Sequence, residues 1–266
     1  MTETVRSFYS LGGLNVETYD ARTLGFPGEI DFWVARARAS GGPVLELASG
    51  TGRVSWAIAR AGIDVVGVDL GVGMIEQAER KRQYESFEVS RRVRFVHGNM
   101  AVFDLGQRFA LAIIPARAFQ ALLTIEQQRR SLGNIQRHLK PGGKLIIDIF
   151  DPRLDLLAEE NFVPQREIAD VKHPVSGHAV SIDVLGRTND RMRQRLVERW
   201  RFRETTPNGV IVREELEGLE LRWTYRFEMQ HLLELCDFVV EEELSDFFGG
   251  PPAYGKEQIW IARRKD

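Results

Sequence analysis

The sequence contains very little cysteine: Cys236 is the single one among 266 residues. An intramolecular disulfide is therefore excluded, and there is no cysteine cluster that could bind zinc. Cysteine usage of this kind is typical of a reducing compartment, so we predict a cytoplasmic location. The sequence also lacks the run of about 18 apolar residues that a membrane-spanning helix needs, and we expect no contact with a membrane. No metal is predicted.

Excess charge of either sign is also missing. The 36 Lys and Arg residues nearly balance the 38 Asp and Glu residues, which gives a formal net charge of -2. This balance gives no general electrostatic reason to bind nucleic acid, so we predict a small-molecule partner and no nucleic acid. With 43% hydrophobic residues, the chain is long enough to bury a full core as one domain that carries an insertion.

Two common nucleotide-binding motifs are missing as well. A dinucleotide-binding fingerprint needs a third glycine three residues after Gly52, where this chain has Ser55. The Gly-Lys-Ser/Thr sequence of a phosphate-binding loop does not occur either.

A strand, a glycine turn, a helix and a second strand nevertheless follow one another in residues 44–69. Residues 44–47 are apolar except for Glu46 and predict a buried parallel strand. Gly50 and Gly52 follow it and allow the backbone to approach a ligand closely. The second strand, residues 65–69, ends on Asp69, whose carboxylate can accept hydrogen bonds from both hydroxyls of a ribose. The stretch therefore predicts a nucleoside site.

Residues 46–52, Glu-Leu-Ala-Ser-Gly-Thr-Gly, resemble motif I of the class I S-adenosylmethionine-dependent methyltransferases. That motif is an acidic residue, a spacer and Gly-x-Gly-x-Gly, and here Ala48 replaces the first glycine. The Pro-Gly-Gly turn at residues 141–143 before an apolar strand is a second match to the class. The resemblance implies a doubly wound α/β fold with a mostly parallel seven-stranded sheet, and S-adenosylmethionine as the cofactor.

The resemblance also implies a set of cofactor-binding residues: Tyr19, Glu46, Ala48, Ser49, Gly50, Gly52, Arg53, Asp69, Leu70, Met74, Asn99, Met100 and Ile114. Motif I would bind the methionine end, Asp69 the ribose and Asn99 the adenine. Asn99 stands where the family commonly has aspartate, so an acceptor oxygen is kept without the charge. Three alternatives stay open: a core role for Met74, a turn-stabilising role for Asn99, and pairing of Arg53 with a nearby acid.

The candidates for catalysis are Tyr9, Tyr19 and Asp148. Many small-molecule members of the family open with a Tyr-Asp segment that folds over the cofactor as a lid; the alternative is a surface segment that docks two tyrosines. Asp148 ends a predicted strand near the crevice, and a base is needed only if the methyl acceptor is an oxygen.

Substrate contacts are predicted from the loop after the strand at residues 109–114 and from neighbouring strand ends: Arg117, Phe119, Gln120, Phe150 and Trp223. For Arg117 and Gln120 the alternative is that they satisfy neighbouring backbone carbonyls.

The pattern changes to strands alone between residues 171 and 223, where we predict strands at 180–186, 194–205 and 210–223. Arginines on the second of these and glutamates on the third are explained by cross-strand charge pairs more simply than by an RNA-binding ribbon. This region resembles the antiparallel cap of small-molecule N-methyltransferases, including those that act on amino sugars. We therefore predict a methyltransferase domain at 1–170 and 224–266, and an inserted antiparallel β cap at 171–223.

The predicted function is transfer of a methyl group from S-adenosylmethionine to a nitrogen or oxygen of a small metabolite. Two alternatives stay open, an RNA methyltransferase and a relative that binds S-adenosylmethionine without methylating anything. The sequence does not determine the acceptor, the pathway or the oligomeric state, and a homodimer stays open.

Overall fold

The structure is a computed structural model that describes residues 6–8, 12–158, 160–162 and 167–265. Its strands are β1 (Arg6–Ser7), β2 (Val44–Leu47), β3 (Val65–Asp69), β4 (Val93–His97), β5 (Phe109–Ile114), β6 (Leu139–Phe150), β7 (Asn161–Phe162), β8 (Glu167–Lys172), β9 (Ala179–Asp190), β10 (Arg195–Thr205), β11 (Ile211–Arg222), β12 (Phe238–Leu244) and β13 (Glu257–Arg264). Its α-helices are α1 (Leu14–Glu17), α2 (Tyr19–Arg22), α3 (Glu29–Ser40), α4 (Arg53–Arg60), α5 (Val72–Arg80), α6 (Phe87–Ser90), α7 (Ile125–His138), α8 (Leu154–Leu157) and α9 (Arg226–Leu235). Short 3-10 helices lie at Lys81–Tyr84 and Ala118–Ala121.

A seven-stranded sheet with the order β12-β13-β6-β5-β2-β3-β4 forms the centre of the molecule. Its strands run parallel except for β13, which is antiparallel to both β6 and β12. The predicted doubly wound, mostly parallel seven-stranded sheet is therefore confirmed.

Both faces of this sheet are buried, as its apolar strands require. Leu45 and Leu47 of β2 belong to one apolar cluster, with α7 and α9, while Val44 belongs to a second cluster on the opposite face, with α3 and α4. From β2 the chain moves outward through β3 to β4 and then returns to β5 on the other side of β2. The order of the strands therefore reverses between β2 and β5, which is where doubly wound sheets open a ligand-binding crevice.

The turn predicted at residues 140–143 lies within β6. Phe109 pairs with Leu139 and Leu111 pairs with Lys144, so the four intervening residues of β6 bulge out of the ladder. The Pro-Gly-Gly sequence therefore breaks the pairing of the strand without ending it.

A second sheet has the order β1-β11-β10-β9-β7, with β8 also paired to β9. Strands β9, β10 and β11 form an antiparallel meander, and β1 is parallel to β11. Arg203 and Glu214 are direct cross-strand partners, and Arg203 Nε donates to Glu214 Oε2 at 2.7 Å. Opposite charges thus pair across this hairpin, as the sequence predicts.

The second sheet also takes strands β1, β7 and β8, which begin before residue 171. The division at residues 171 and 223 remains a proposal. Among the helices of the described residues, none is long and apolar enough to cross a membrane.

Candidate active site

A cavity opens at the carboxyl ends of β2, β3, β4 and β5, at the point where the strand order reverses. Its lining residues are Tyr19, Ala48, Gly50, Val68, Asp69, Leu70, Met74, Gly98, Asn99, Met100, Ala116, Ala118, Ala121, Leu122 and Gln127. Most of the residues predicted to bind the cofactor are among them. Predicted residues that do not line it are Glu46, Ser49, Gly52, Arg53 and Ile114.

The loop between β2 and α4 turns sharply at the edge of this cavity. Ala48, Gly50 and Gly52 have positive φ angles of 55°, 55° and 75°. At Gly52 a Cβ would lie 2.6 Å from Phe95 Cζ, so this position needs glycine for space as well as for conformation. Ala48 adopts the left-handed conformation despite its side chain, which is how the chain tolerates the missing first glycine of the motif.

Asp69 connects this loop to the start of α5. Its Oδ2 accepts a hydrogen bond from Gly50 N at 2.7 Å, and its Oδ1 accepts one from Gly71 N at 2.7 Å. The side chain is buried, and burial raises the pKa of this carboxyl. Each carboxylate oxygen has a further acceptor position, so Asp69 can hold the loop and still accept a hydrogen bond from a ligand.

Glu46 lies in the middle of β2, beneath the cavity. It is buried and accepts a hydrogen bond from Ser55 Oγ of α4. Burial raises the pKa of Glu46 to about 8. The carboxyl is therefore largely protonated at neutral pH, and a cation bound close to it would favour its ionised form.

Arg53, the first residue of α4, extends toward α3. Its Nη2 donates to Glu29 Oε1 at 2.8 Å, while its Nη1 is buried and has no hydrogen-bond partner within the described ranges. Glu29 also accepts from Phe26 N at 2.9 Å. One arm of the guanidinium thus pairs with a nearby acid, which is one of the two alternatives for Arg53.

Glu29 is a residue that the sequence reasoning missed. It is 1% exposed, and a charged side chain this deeply buried is rare unless it is paired. The sequence offered little signal, since an acid in the first turn of a helix is ordinarily a surface residue that complements the helix dipole.

Two predicted cofactor residues lie in the interior instead of on the cavity wall. Ser49 is buried, and its Oγ has no partner among the residues that the structure describes. Ile114 belongs to the apolar cluster beneath the sheet.

Helix α2 covers the outside of the loop at residues 48–52, which we call the cofactor loop because the sequence predicts that it binds the cofactor. Tyr19 lines the cavity, and burial raises the pKa of its phenol. Thr51 Oγ1 donates to Asp20 Oδ1 at 2.6 Å, and Lys81 Nζ lies 2.8 Å from Asp20 Oδ2. The Tyr-Asp segment is therefore attached directly to the glycine loop. Tyr9 lies outside the described residues.

Helix α1, just before this segment, is attached to the second sheet. Leu14 N donates to Glu215 Oε2 at 2.8 Å, and Asn15 Nδ2 donates to Glu217 Oε2 at 2.5 Å. Arg213 also lies 2.7 Å from Glu17. Residues 14–22 thus contact the second sheet at one end and the cofactor loop at the other.

Asp148 lies two residues before the end of β6, in the half of the sheet beyond β5. It is fully buried, its Oδ2 accepts from Arg117 N at 3.3 Å, and its Oδ1 has no partner in the described structure. Burial, followed by the nearby charges of Glu257 and Glu29, raises the pKa of Asp148 well above its usual range. The surroundings of Asp148 therefore disfavour its charged form.

Arg117 and Gln120 form side-chain contacts with neighbouring elements. Arg117 Nε donates to Glu257 Oε2 at 3.0 Å, and its guanidinium lies 5.7 Å from the centre of the Phe150 ring. Gln120 Oε1 accepts from Phe150 N at 3.1 Å. Neither contact is to a backbone carbonyl, which was the alternative for these two residues.

The remaining predicted substrate residues are buried. Phe119 packs into the apolar cluster beneath the sheet. Trp223, just after β11, packs with Phe150, Leu157 and Leu196 between the two sheets. In the described part of the chain, no group of three or more His, Cys, Asp or Glu side chains is placed to hold a metal ion.

Comparison with known proteins agrees with this geometry. Residues 44–143 match a family model described as a methyltransferase domain. The cypemycin N-terminal methyltransferase of a Streptomyces species is 33% identical over 140 residues, which cover 52% of this chain and 55% of that protein. The chain spans about half the length of the curated relatives that it matches at such identity.

Solved structures match the fold over nearly the whole chain. The CcbJ methyltransferase from Streptomyces caelestis superposes with a TM-score of 0.78 at 24% identity, covering 98% of this chain and 99% of that one. The sugar N-methyltransferase KedS8 from a Streptoalloteichus species gives a TM-score of 0.72 at 20% identity, covering 96% and 94%.

The fold is therefore that of the class I methyltransferases. Within it, residues 44–143 match the model of a methyltransferase domain. The predicted resemblance to S-adenosylmethionine-dependent methyltransferases is confirmed, because a methyltransferase-domain model matches residues 44–143 and solved methyltransferases share the fold.

Proposed function

We propose that this protein transfers a methyl group from S-adenosylmethionine to a nitrogen or oxygen of a small molecule. The observation that carries the proposal is the cavity lined by the glycine loop, Asp69 and Asn99 at the point where the strand order reverses. A nucleoside that carries an amino acid has three recognisable parts, and the residues around this cavity offer a complementary group for each.

The residues present fit this cofactor. Asp69 would accept hydrogen bonds from the ribose hydroxyls, and Leu70, Met74, Asn99 and Met100 would contact the adenine. Asn99 Oδ1 already accepts from Ala101 N at 2.8 Å, so the turn-stabilising alternative and the adenine contact coexist on one amide.

The methionine end would lie by Glu46 and Arg53. The unpaired Nη1 of Arg53 is suited to the methionine carboxylate, because a guanidinium can bind two carboxylates with its two arms. Ionised Glu46 would stabilise the methionine ammonium, and the peptide groups of Ala48 to Gly52 lie between them.

When bound, S-adenosylmethionine supplies a methyl group that its sulfonium already makes electrophilic. What is left to the protein is to align the acceptor and to exclude water. Tyr19 lies at the cavity wall, where its ring can cover the cofactor. Asp148 lies on the acceptor side, and the contribution of Tyr9 stays a prediction.

A small acceptor is favoured over RNA by the pairing of charges on the second sheet. Arg201 lies 2.7 Å from Asp183, Arg203 lies 2.6 Å from Glu214, and Arg195 lies 3.2 Å from Glu220. These guanidiniums are neutralised within the sheet and do not form a phosphate-binding surface. The second sheet, at 171–223 in the predicted division, would then serve as a cap. A cytoplasmic location and a homodimer stay predictions.

The test is a calorimetric titration of the purified protein with S-adenosylhomocysteine, with NAD as the control. We expect micromolar binding of the sulfur nucleoside and none of NAD. Incubation with methyl-labelled S-adenosylmethionine and a panel of small amines and phenols then measures transfer. Binding with no transfer to any acceptor would favour the non-methylating alternative, and no binding would contradict the proposal.

A further inference from the structure

The loop after β5 is fastened to the end of β6 by two side chains. Arg117 N donates to Asp148 Oδ2 at 3.3 Å, and Phe150 N donates to Gln120 Oε1 at 3.1 Å. Each of these two side chains keeps one buried polar atom, Asp148 Oδ1 and Gln120 Nε2, with no partner among the described residues. Buried polar atoms are rarely left unpaired, because the loss of hydration is then not offset.

Trp223, the residue just after β11, contributes a third buried atom of this kind. Its side chain is 1% exposed, and its Nε1 finds no hydrogen-bond partner in the described ranges. The indole packs in one cluster with Phe150, Leu157 and Leu196. The three unpaired atoms therefore belong to residues that each lie next to Phe150, and we call Asp148, Gln120 and Trp223 the Phe150 subsite.

The subsite lies beside the cofactor cavity. Ala116, Ala118 and Ala121 of the loop that carries Gln120 line that cavity, while Gln120 itself does not. Strand β6 belongs to the half of the sheet on the opposite side of β2 from β3 and β4. A molecule bound at the subsite would therefore lie next to the cofactor, with the loop after β5 beside both of them.

We propose, on the basis of the proposed function, that the Phe150 subsite binds the methyl acceptor, with the amine donating to Asp148 Oδ1 and a neighbouring oxygen accepting from Gln120 Nε2 and Trp223 Nε1. The acceptor class is then a small amine with a hydroxyl or carbonyl oxygen on an adjacent carbon. The chemistry of the three atoms sets this class: an amide Nε2 and an indole Nε1 can only donate, whereas a carboxyl oxygen can accept.

The surroundings of Asp148 agree with an amine acceptor. Burial and the nearby acids raise the pKa of Asp148 well above its usual range. The same surroundings that disfavour a negative charge on Asp148 exclude water and contain other acids, so the amine is held by a hydrogen bond to Oδ1 and not by an exposed ion pair.

Arg117 covers the subsite. Its side chain is 37% exposed, lies over the Phe150 ring and is held by Glu257. The acceptor reaches the subsite by displacing this guanidinium from the ring, while the backbone contact from Arg117 to Asp148 remains.

Three matched probes test the subsite: trans-2-aminocyclohexanol, cyclohexylamine and cyclohexanol, each titrated into the protein saturated with S-adenosylhomocysteine and followed by ligand-observed NMR. We expect the amino alcohol to bind about tenfold more tightly than either probe that lacks one of the two groups. Equal binding of the three probes, or no binding of the amino alcohol at its solubility limit, would overturn the inference. Binding of S-adenosylhomocysteine is recorded separately, so a failure of the proposed function is seen before any probe is added.

Two variants assign the oxygen contact. Trp223→Phe removes the unpaired N–H together with part of the buried ring, and Gln120→Glu keeps the acceptor for Phe150 N while it removes the donor. We expect both to reduce the preference for the amino alcohol over cyclohexylamine from about tenfold to about twofold, with unchanged binding of S-adenosylhomocysteine. An unchanged preference in both variants would show that these groups do not contact the oxygen.

The matched control is Trp56→Phe, since Trp56 Nε1 donates to Ala78 O at 3.1 Å. Both substitutions remove buried ring volume, but only Trp56→Phe also removes a paired N–H, so we expect Trp56→Phe to lower the melting temperature more than Trp223→Phe does. A fall in melting temperature for Trp223→Phe as large as that for Trp56→Phe would mean that the Trp223 N–H is paired in the free protein, and this too would contradict the inference.

Discussion

Arg53 donates through Nη2 to Glu29 Oε1 at 2.8 Å, while the Nη1 of the same guanidinium is buried without a partner among the described residues. Glu29 is almost fully buried, so this pair fixes the direction of Arg53 beside the cofactor loop. A guanidinium held by one arm keeps the other ready for an anionic ligand, and no reorganisation is needed when that ligand arrives.

The first prediction concerns this free arm. Arg53→Gln is expected to weaken the binding of S-adenosylhomocysteine about tenfold, because the methionine carboxylate loses a charged donor. The binding of 5′-methylthioadenosine, which lacks the amino acid, is expected to stay unchanged. Calorimetry with both ligands measures the difference, with Arg36→Gln as the control because Arg36 pairs with Glu242 at the surface. Equal losses for the two ligands would contradict the assignment.

The second prediction concerns the ribose contact. Asp69→Asn is expected to weaken the binding of S-adenosylhomocysteine by about 1.4 to 2.7 kcal/mol, since the amide accepts through one oxygen only and carries no charge. Asp64→Asn is the control, because Asp64 pairs with Arg92 at the surface, away from the cavity. If a folded Asp69→Asn variant binds as tightly as the control, Asp69 does not contact the ribose.

The third prediction follows from the pKa of Glu46, which burial raises from 4.5 to about 8. Between these two values the folded state holds a proton that the unfolded state has lost, so stability falls as the pH rises, by up to about 1.4 kcal/mol per pH unit. Glu46→Gln does not titrate and is expected to lose this part of the pH dependence.

Urea denaturation of the wild type and of Glu46→Gln at pH 5.5 and pH 7.5 measures the difference for Glu46. Glu85→Gln serves as the control, since Glu85 pairs with Arg60 at the surface. Parallel pH dependence in the wild type and in Glu46→Gln would show that the carboxyl of Glu46 is already ionised at pH 5.5.

The fourth prediction separates backbone strain from steric overlap in the cofactor loop. Gly52 and Gly106 both have positive φ angles, but a Cβ at Gly52 would meet the Phe95 ring and a Cβ at Gly106 would meet nothing within 4 Å. We expect Gly106→Ala to lower the free energy of unfolding by about 1 kcal/mol and Gly52→Ala by about 2 to 4 kcal/mol. Equal losses in urea denaturation would mean that Phe95 moves aside.

Local patterns allowed the glycine loop and Asp69, which lie beside the cavity, to be recognised from the sequence. The two glycines, the apolar strand before them and Asp69 lie within 26 residues of one another, residues 44–69, and each follows from the conformation that its neighbours require. The fold could be predicted for the same reason, because apolar strands and helices alternate at regular intervals until residue 150.

The acceptor side could not be predicted to the same depth. Arg117 and Glu257 are separated by 140 positions in the sequence, and Leu14 and Glu215 by 201. No periodicity connects such residues, since their contact depends on how two sheets pack together. The burial of Glu29 and Asp148 was hidden for the same reason, because a carboxylate in a sequence gives no sign of its depth.

The attachment of residues 14–22 to both sheets limits how the protein could be rebuilt with a different specificity. A chimera that took β9 to β11 from a relative would leave Leu14 N and Asn15 facing side chains other than Glu215 and Glu217. The strands of the second sheet and residues 14–22 therefore form one exchangeable unit, although the glycine loop separates them in the sequence. A chimera cut at residues 171 and 223 alone keeps Asp20 against Thr51 but loses the contacts of Leu14 and Asn15 with the second sheet. A chimera that also exchanges residues 14–22 keeps the contacts with the second sheet, and it needs an acceptor at position 20 for Thr51.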